Sequence, residues 1–132
     1  MGALRSLRFA YAVLDEGHVI RASRSAAGAA ARRLHAAHRL ALTGTPVSNN
    51  VSELWALFDF LMPGYLGDAR TFGTETRAPI ARALRPGAST AVVEAAAAAA
   101  RAVHARVLPF VLRRMKADVA PELPPRTIQV RR

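Results

Sequence analysis

The sequence contains no cysteine, a single lysine (Lys116) and no long hydrophobic run, and each shortage closes off a class of protein. Without cysteine there is no disulfide and no thiolate metal site. The four histidines, at 18, 35, 38 and 104, lack the spacing to acidic partners that a zinc site needs. No stretch approaches the roughly 20 apolar residues that cross a bilayer. Met1–Ser6 fits the loose pattern for N-myristoylation, but the residues after it read as an interior strand, so no membrane is expected among the partners. With one lysine there is also no Gly-x-x-x-x-Gly-Lys-Ser/Thr loop to cradle phosphates. Carboxylates are scarce too: 19 basic residues face nine acidic ones, for a formal net charge of +10. That excess favours a polyanion through counterion release and steering. The basic residues are scattered and no base-reading motif accompanies them, so contacts should go to phosphates and weaken steeply with salt. A length of 132 residues suits one domain with a modest core, in a soluble protein of a reducing compartment.

What is present centres on two apolar runs. Leu7–Leu14 is short and apolar, reads as a buried strand, and stops at Asp15-Glu16-Gly17-His18. Arg39-Leu40-Ala41-Leu42 is a second such strand and runs into Thr43-Gly44-Thr45-Pro46, where Gly44 permits a tight turn. Between them, Arg21 to Ala37 is rich in alanine and arginine and reads as the crossover helix of a βαβ unit, capped by Ser23 or Ser25. Two parallel strands would carry both polar sets to one crevice, the place where open α/β sheets bind ligands. Paired carboxylates at a core strand's end cost desolvation energy unless a cation or water satisfies them. Asp15 is therefore a candidate magnesium ligand, acting through water, and Glu16 a candidate for orienting or deprotonating an attacking water.

Downstream, Asn49, Asn50 or Ser52 can cap a helix whose apolar positions 51, 54, 55, 57, 58, 61 and 62 recur at helical spacing. Trp55, Phe58 and Phe60 are expected in the core. Met62 to Gly67 breaks that helix, short helices come next around Phe72 and Ile80–Leu84, and Arg85-Pro86-Gly87 ends them. Thr90 to Leu108 is a long helix, its alanine run having the highest intrinsic propensity. Glu122-Leu123-Pro124-Pro125 reads as an extended connector, with a strand at Thr127–Val130.

Taken in order, Asp15-Glu16-Gly17-His18, Leu42-Thr43-Gly44-Thr45-Pro46, Asn49-Asn50, Glu53–Leu61, Leu112-Arg113-Arg114-Met115-Lys116 and Glu122–Pro125 resemble the motifs of Swi/Snf-type superfamily 2 ATPases. The resemblance spans roughly residues 9 to 130, and Phe60-Leu61-Met62-Pro63-Gly64-Tyr65-Leu66-Gly67 is most similar to the branch that strips TATA-binding protein from promoter DNA. It implies an α/β fold: the C-terminal part of a RecA-like lobe, with parallel strands and flanking helices, followed by a helical protrusion. The implied division is 1–62 for the lobe, 63–120 for the protrusion and 121–132 for a connector toward a second lobe. It further implies ATP and Mg2+ as cofactors, double-stranded DNA and TATA-binding protein as partners, and a nuclear location. Asp15, Glu16 and His18 would take catalytic roles, Asp15 as metal ligand, with Gly17, Thr43, Gly44 and Thr45 at the nucleotide. Arg113, Arg114 and Lys116 would match a structural or regulatory basic segment.

The missing phosphate loop matters as much as the matches. Half of an ATP site is expected to lie outside these residues, so the 132-residue chain alone should neither bind ATP tightly nor hydrolyse it. A non-catalytic basic module that binds nucleic acid or protein is the competing reading.

Overall fold

The computed structural model describes residues 6–20, 26–44 and 50–114, and of His18 and Val19 the backbone only. Strands β1 (Arg8–Leu14) and β2 (His35–Ala41) pair in parallel, with Arg8 opposite His35 and Leu14 opposite Ala41. Helix α1 (Ala26–Arg32) lies between them in sequence, as parallel pairing demands of a connection. The helix is shorter than the composition predicts: His35-Ala36-Ala37 belongs to β2, not to the crossover helix. Alanine's helix preference is worth only tenths of a kcal/mol per residue, and the ladder to β1 overrides it. The strands are also less buried than expected. Tyr11 and Val13 of β1, Leu40 of β2 and Leu42 beyond it are about half exposed or more, because among the described residues only one face of the sheet is covered.

That covered face carries Ala12 and Leu14, which pack with Ile20, Ala31 and Phe60. Helix α2 (Val51–Leu61) is the element that joins this cluster to the rest of the chain. Its N-cap is Asn50, whose side chain accepts from the Ser52 N–H at 3.0 Å and donates to Glu53 at 3.4 Å. The first bond satisfies one first-turn N–H, and the second holds an acidic side chain at the positive end of the helix dipole. The sequence pattern marks one apolar stripe on α2, yet the structure buries two. Leu54 and Phe58 face a cluster with Leu66, Phe72, Val103 and Val107, while Phe60 turns to the sheet side. A helix buried on opposite sides lies between two layers, so single-face periodicity underestimates its burial.

The second layer is helical. The chain leaves α2 through a turn at Met62–Gly67, where Gly64 and Gly67 have φ of 81° and 82°. Trp55 closes the turn by donating from its indole N–H to the Gly67 carbonyl at 3.0 Å. Helix α3 (Ala69–Phe72), a π turn (Gly73–Arg77) and α4 (Ala78–Ala83) continue without a break, and Gly87, at φ 79°, turns the chain into α5 (Thr90–Val107). Tyr65 and Arg106 clasp this layer. The Tyr65 hydroxyl donates to the Arg106 carbonyl at 2.9 Å, and the Arg106 guanidinium donates to the Tyr65 carbonyl while lying 5.1 Å from its ring. The connector and terminal strand expected beyond residue 121 lie outside the described residues.

Candidate nucleotide-side rim

The two strands end together. After the last register pair, Leu14 with Ala41, the Leu42 N–H donates to the Leu14 carbonyl at 2.8 Å. The chain then folds over its own end: the Gly17 N–H donates to the Leu42 carbonyl, also at 2.8 Å. Asp15 and Glu16 are thus held in a two-residue arch, and Thr43-Gly44 leaves the neighbouring strand beside it. Gly17 is buried under this arch, and a Cβ there would sit 3.4 Å from Leu57 Cδ1 and 3.6 Å from the Leu42 carbonyl oxygen. Those are ordinary van der Waals contacts, so the arch lies against α2 and β2 with room for a methyl group and little more.

Glu16 adopts φ 54°, the only non-glycine positive φ among the described residues. Such a conformation is sparsely populated for a long side chain, costs about 1 kcal/mol or more, and clusters at functional sites. Asp15 Oδ1 accepts the Glu16 N–H at 2.9 Å, which braces the strained residue and orients the aspartate. Asp15, Glu16 and Thr43 are all exposed. The desolvation cost expected for buried carboxylates is therefore not incurred in this chain, because the strands lie at a surface.

Gly44 differs from its expected role. It lacks a positive φ, and a Cβ there would meet nothing within 4 Å, so the turn itself does not require glycine. Thr45 and the side chain of His18 lie outside the described residues. Two cavities, of about 430 and 780 Å3, lie elsewhere, one at Arg8, His35 and Arg39 and one between α2 and α5. The carboxylates occupy an open rim, one wall of a site.

The donor set still fits a magnesium nucleotide. Among the described residues no group of three His, Cys, Asp or Glu is arranged to hold a metal. Magnesium does not need one, since it keeps several waters and takes one or two carboxylates together with substrate phosphates. Asp15 would hold the ion, and the ion would supply charge neutralisation at the phosphates.

Sequence reasoning missed Arg39. Its guanidinium donates to the Phe60 carbonyl at 2.7 Å and the Leu34 carbonyl at 2.6 Å, and it lies 5.2 Å from the Phe60 ring. It therefore ties β2, the strand that delivers Thr43, to the end of α2 and to the loop before β2. An arginine inside a strand whose neighbours are apolar is the signal that could have revealed it.

The profile of the SNF2-related domain family matches residues 2–132. The chain is 48% identical over 129 residues to the TATA-binding protein-associated factor MOT1 of Saccharomyces cerevisiae, covering 98% of this chain and 7% of that protein. It is 48% identical over 125 residues to the human TATA-binding protein-associated factor 172, covering 95% and 7%. Among solved structures, the Sulfolobus solfataricus SWI2/SNF2 ATPase core in complex with double-stranded DNA matches with a TM-score of 0.70 at 33% identity. That match covers 91% of this chain and 23% of the archaeal one. The chain thus spans about 7% of the length of these two eukaryotic relatives.

Proposed function

The chain belongs to the SNF2-related domain family, and on that premise we propose that it is the part of a DNA-dependent ATPase that delivers the water-activating carboxylates to a magnesium nucleotide. The resemblance to Swi/Snf-type ATPases and the RecA-like α/β fold both stand, and they support a remodeller-type function. The observation that carries the reading is the arch. Two hydrogen bonds at a parallel strand end lock Asp15 and Glu16, one of them strained, beside Thr43-Gly44.

In this reading Asp15 would hold a hydrated magnesium ion, which would supply charge neutralisation, and Glu16 would orient the attacking water and take its proton. His18, Thr43 and Thr45 would couple the nucleotide to the rest of the lobe, with Gly17 and Gly44 as the glycines of the two turns on the nucleotide side. The phosphate-binding loop and the second lobe belong to a longer protein, in keeping with the small share of its relatives that this chain spans. Residues 1–62 then form the end of the first lobe, 63–120 its helical protrusion and 121–132 the connector. The partner is double-stranded DNA, bound through phosphates by a surface of net charge +10, and the location is the nucleus. Likeness to two TATA-binding protein-associated factors supports that protein as the one displaced.

The test is made in the longer protein that carries this segment. Glu16→Gln should lower DNA-stimulated phosphate release by about 100-fold or more, the usual scale for a lost general base, while nucleotide binding persists. Unchanged turnover in that variant would remove Glu16 from the chemistry. The 132-residue chain by itself should release no phosphate above background.

A further inference from the structure

The groove between the start of α2 and the end of α5 takes no part in the proposed ATPase chemistry. It encloses about 780 Å3, and its floor is apolar: Leu54 from α2, Val103 and Val107 from α5, and Val111 beyond. Leu108 lines it while 56% exposed, and the apolar surface continues past it to Phe110, 53% exposed, and Leu112, 81% exposed. Among the described residues its charged lining is of one sign: Arg101 and Arg113 border it and no carboxylate does. Apolar surface of this extent rimmed by like charges marks a contact site more often than idle surface.

We propose that this groove docks an amphipathic helix of a partner protein, with apolar residues facing the floor and acidic residues flanking them. Three observations select that occupant. The groove runs beside α5 from Ala100 to Val107, a length of about 10 Å or two helical turns, which suits anchors at i, i+3 or i+4, and i+7. Its α2 and α5 walls are helices whose backbone groups are already paired, so an extended strand would find no ladder to join along them. Its two arginines stand where carboxylates on the flanks of a bound helix would meet them, and charge complementarity of this kind sets partner choice and association rate.

Fluorescence anisotropy with three labelled peptides on the intact chain tests this. One peptide places leucine at the anchor positions and glutamate on the flanks, the second exchanges glutamate for lysine, and the third keeps the acidic composition but carries a central proline. The acidic helix should bind at least about tenfold more tightly than either control. Arg101→Glu combined with Arg113→Glu should reverse the preference between the first two, and both sites are exposed, so the fold tolerates the change. Leu108→Asp, also exposed, should weaken both charged peptides.

Equal binding of all three peptides, or binding untouched by these variants, overturns the proposal. Duplex DNA that displaces the acidic peptide in one-to-one competition would assign the arginines to phosphates instead. Sedimentation showing a dimer that the same charge reversal dissolves would assign the groove to a second copy of the chain.

Discussion

Arg39 ties β2 to the end of α2, and Arg39→Met isolates the effect of its guanidinium by keeping the apolar stem. Two short hydrogen bonds from the guanidinium are lost, at 2.7 and 2.6 Å, and a third contact to the Arg32 carbonyl at 3.5 Å is too long to count. Hydrogen bonds from a charged donor contribute about 1.5 to 3 kcal/mol each. The contact with the Phe60 ring adds about 0.5 to 1 kcal/mol. Arg39 is only partly buried, so water can replace some of what the carbonyls lose, and a net destabilisation of about 2 to 4 kcal/mol is expected. Urea titration followed by circular dichroism and by the fluorescence of Trp55 measures it. With a urea slope of about 1 to 3 kcal/mol per M, a loss of about 3 kcal/mol moves the midpoint down by about 1 to 3 M. Arg39→Lys should fall between the two, since an ammonium keeps the charge but cannot span the Phe60 and Leu34 carbonyls. A methionine variant within about 0.5 kcal/mol of the parent, the range of an ordinary surface substitution, would refute the assignment of Arg39 as a tie between sheet and helices.

Three further outcomes rest on local geometry. Asp68 caps α3, and its carboxyl lies below the usual value first because the Thr71 N–H donates to it, then through the Thr71 hydroxyl and the Arg70 N–H. A folded-state pKa below the unfolded one gives stability that is present above pH about 4 and lost as pH falls through the folded value. The parent should thus lose stability on that acid limb, and Asp68→Asn should lose correspondingly less between neutral pH and the limb. Glu16→Gly relieves the φ of 54° and should leave thermal stability unchanged or raised by up to about 1 kcal/mol, even as it removes a carboxylate proposed for catalysis. A loss above that size would mean the Glu16 side chain holds the fold together. Gly64→Ala should cost about 1 kcal/mol in the same melts, all of it backbone strain, because its Cβ would meet nothing within 4 Å. The matching change at Gly44, which lacks positive φ, should be neutral.

How much of the molecule was legible in one dimension differs by element. The place of α2, a polar cap at its start (Asn49, Asn50 or Ser52, of which the structure uses Asn50), the break at Met62–Gly67 and the span of α5 come from capping chemistry, glycine turns and periodicity, which are local properties. The start of β2 was not legible, because His35-Ala36-Ala37 has no local reason to extend; the reason is β1, more than 20 residues away in the chain. The burial of Phe60 was legible from its size, but the second buried face it belongs to was not: Phe60 breaks the single stripe, and only its packing with Ile20 and Ala31 on the sheet side accounts for it.

The same division runs through the candidate site. Residue order alone determined the family, since the motif residues are named by type and spacing, and it determined which side chains could bear charge at a phosphate. Only the tertiary structure decided that Asp15-Glu16 and Thr43 leave one strand pair at the same end, that the Gly17 N–H folds back onto the Leu42 carbonyl there, and that Arg39 ties β2 to α2. Those facts depend on contacts between residues far apart in the chain, whose energies no local pattern encodes.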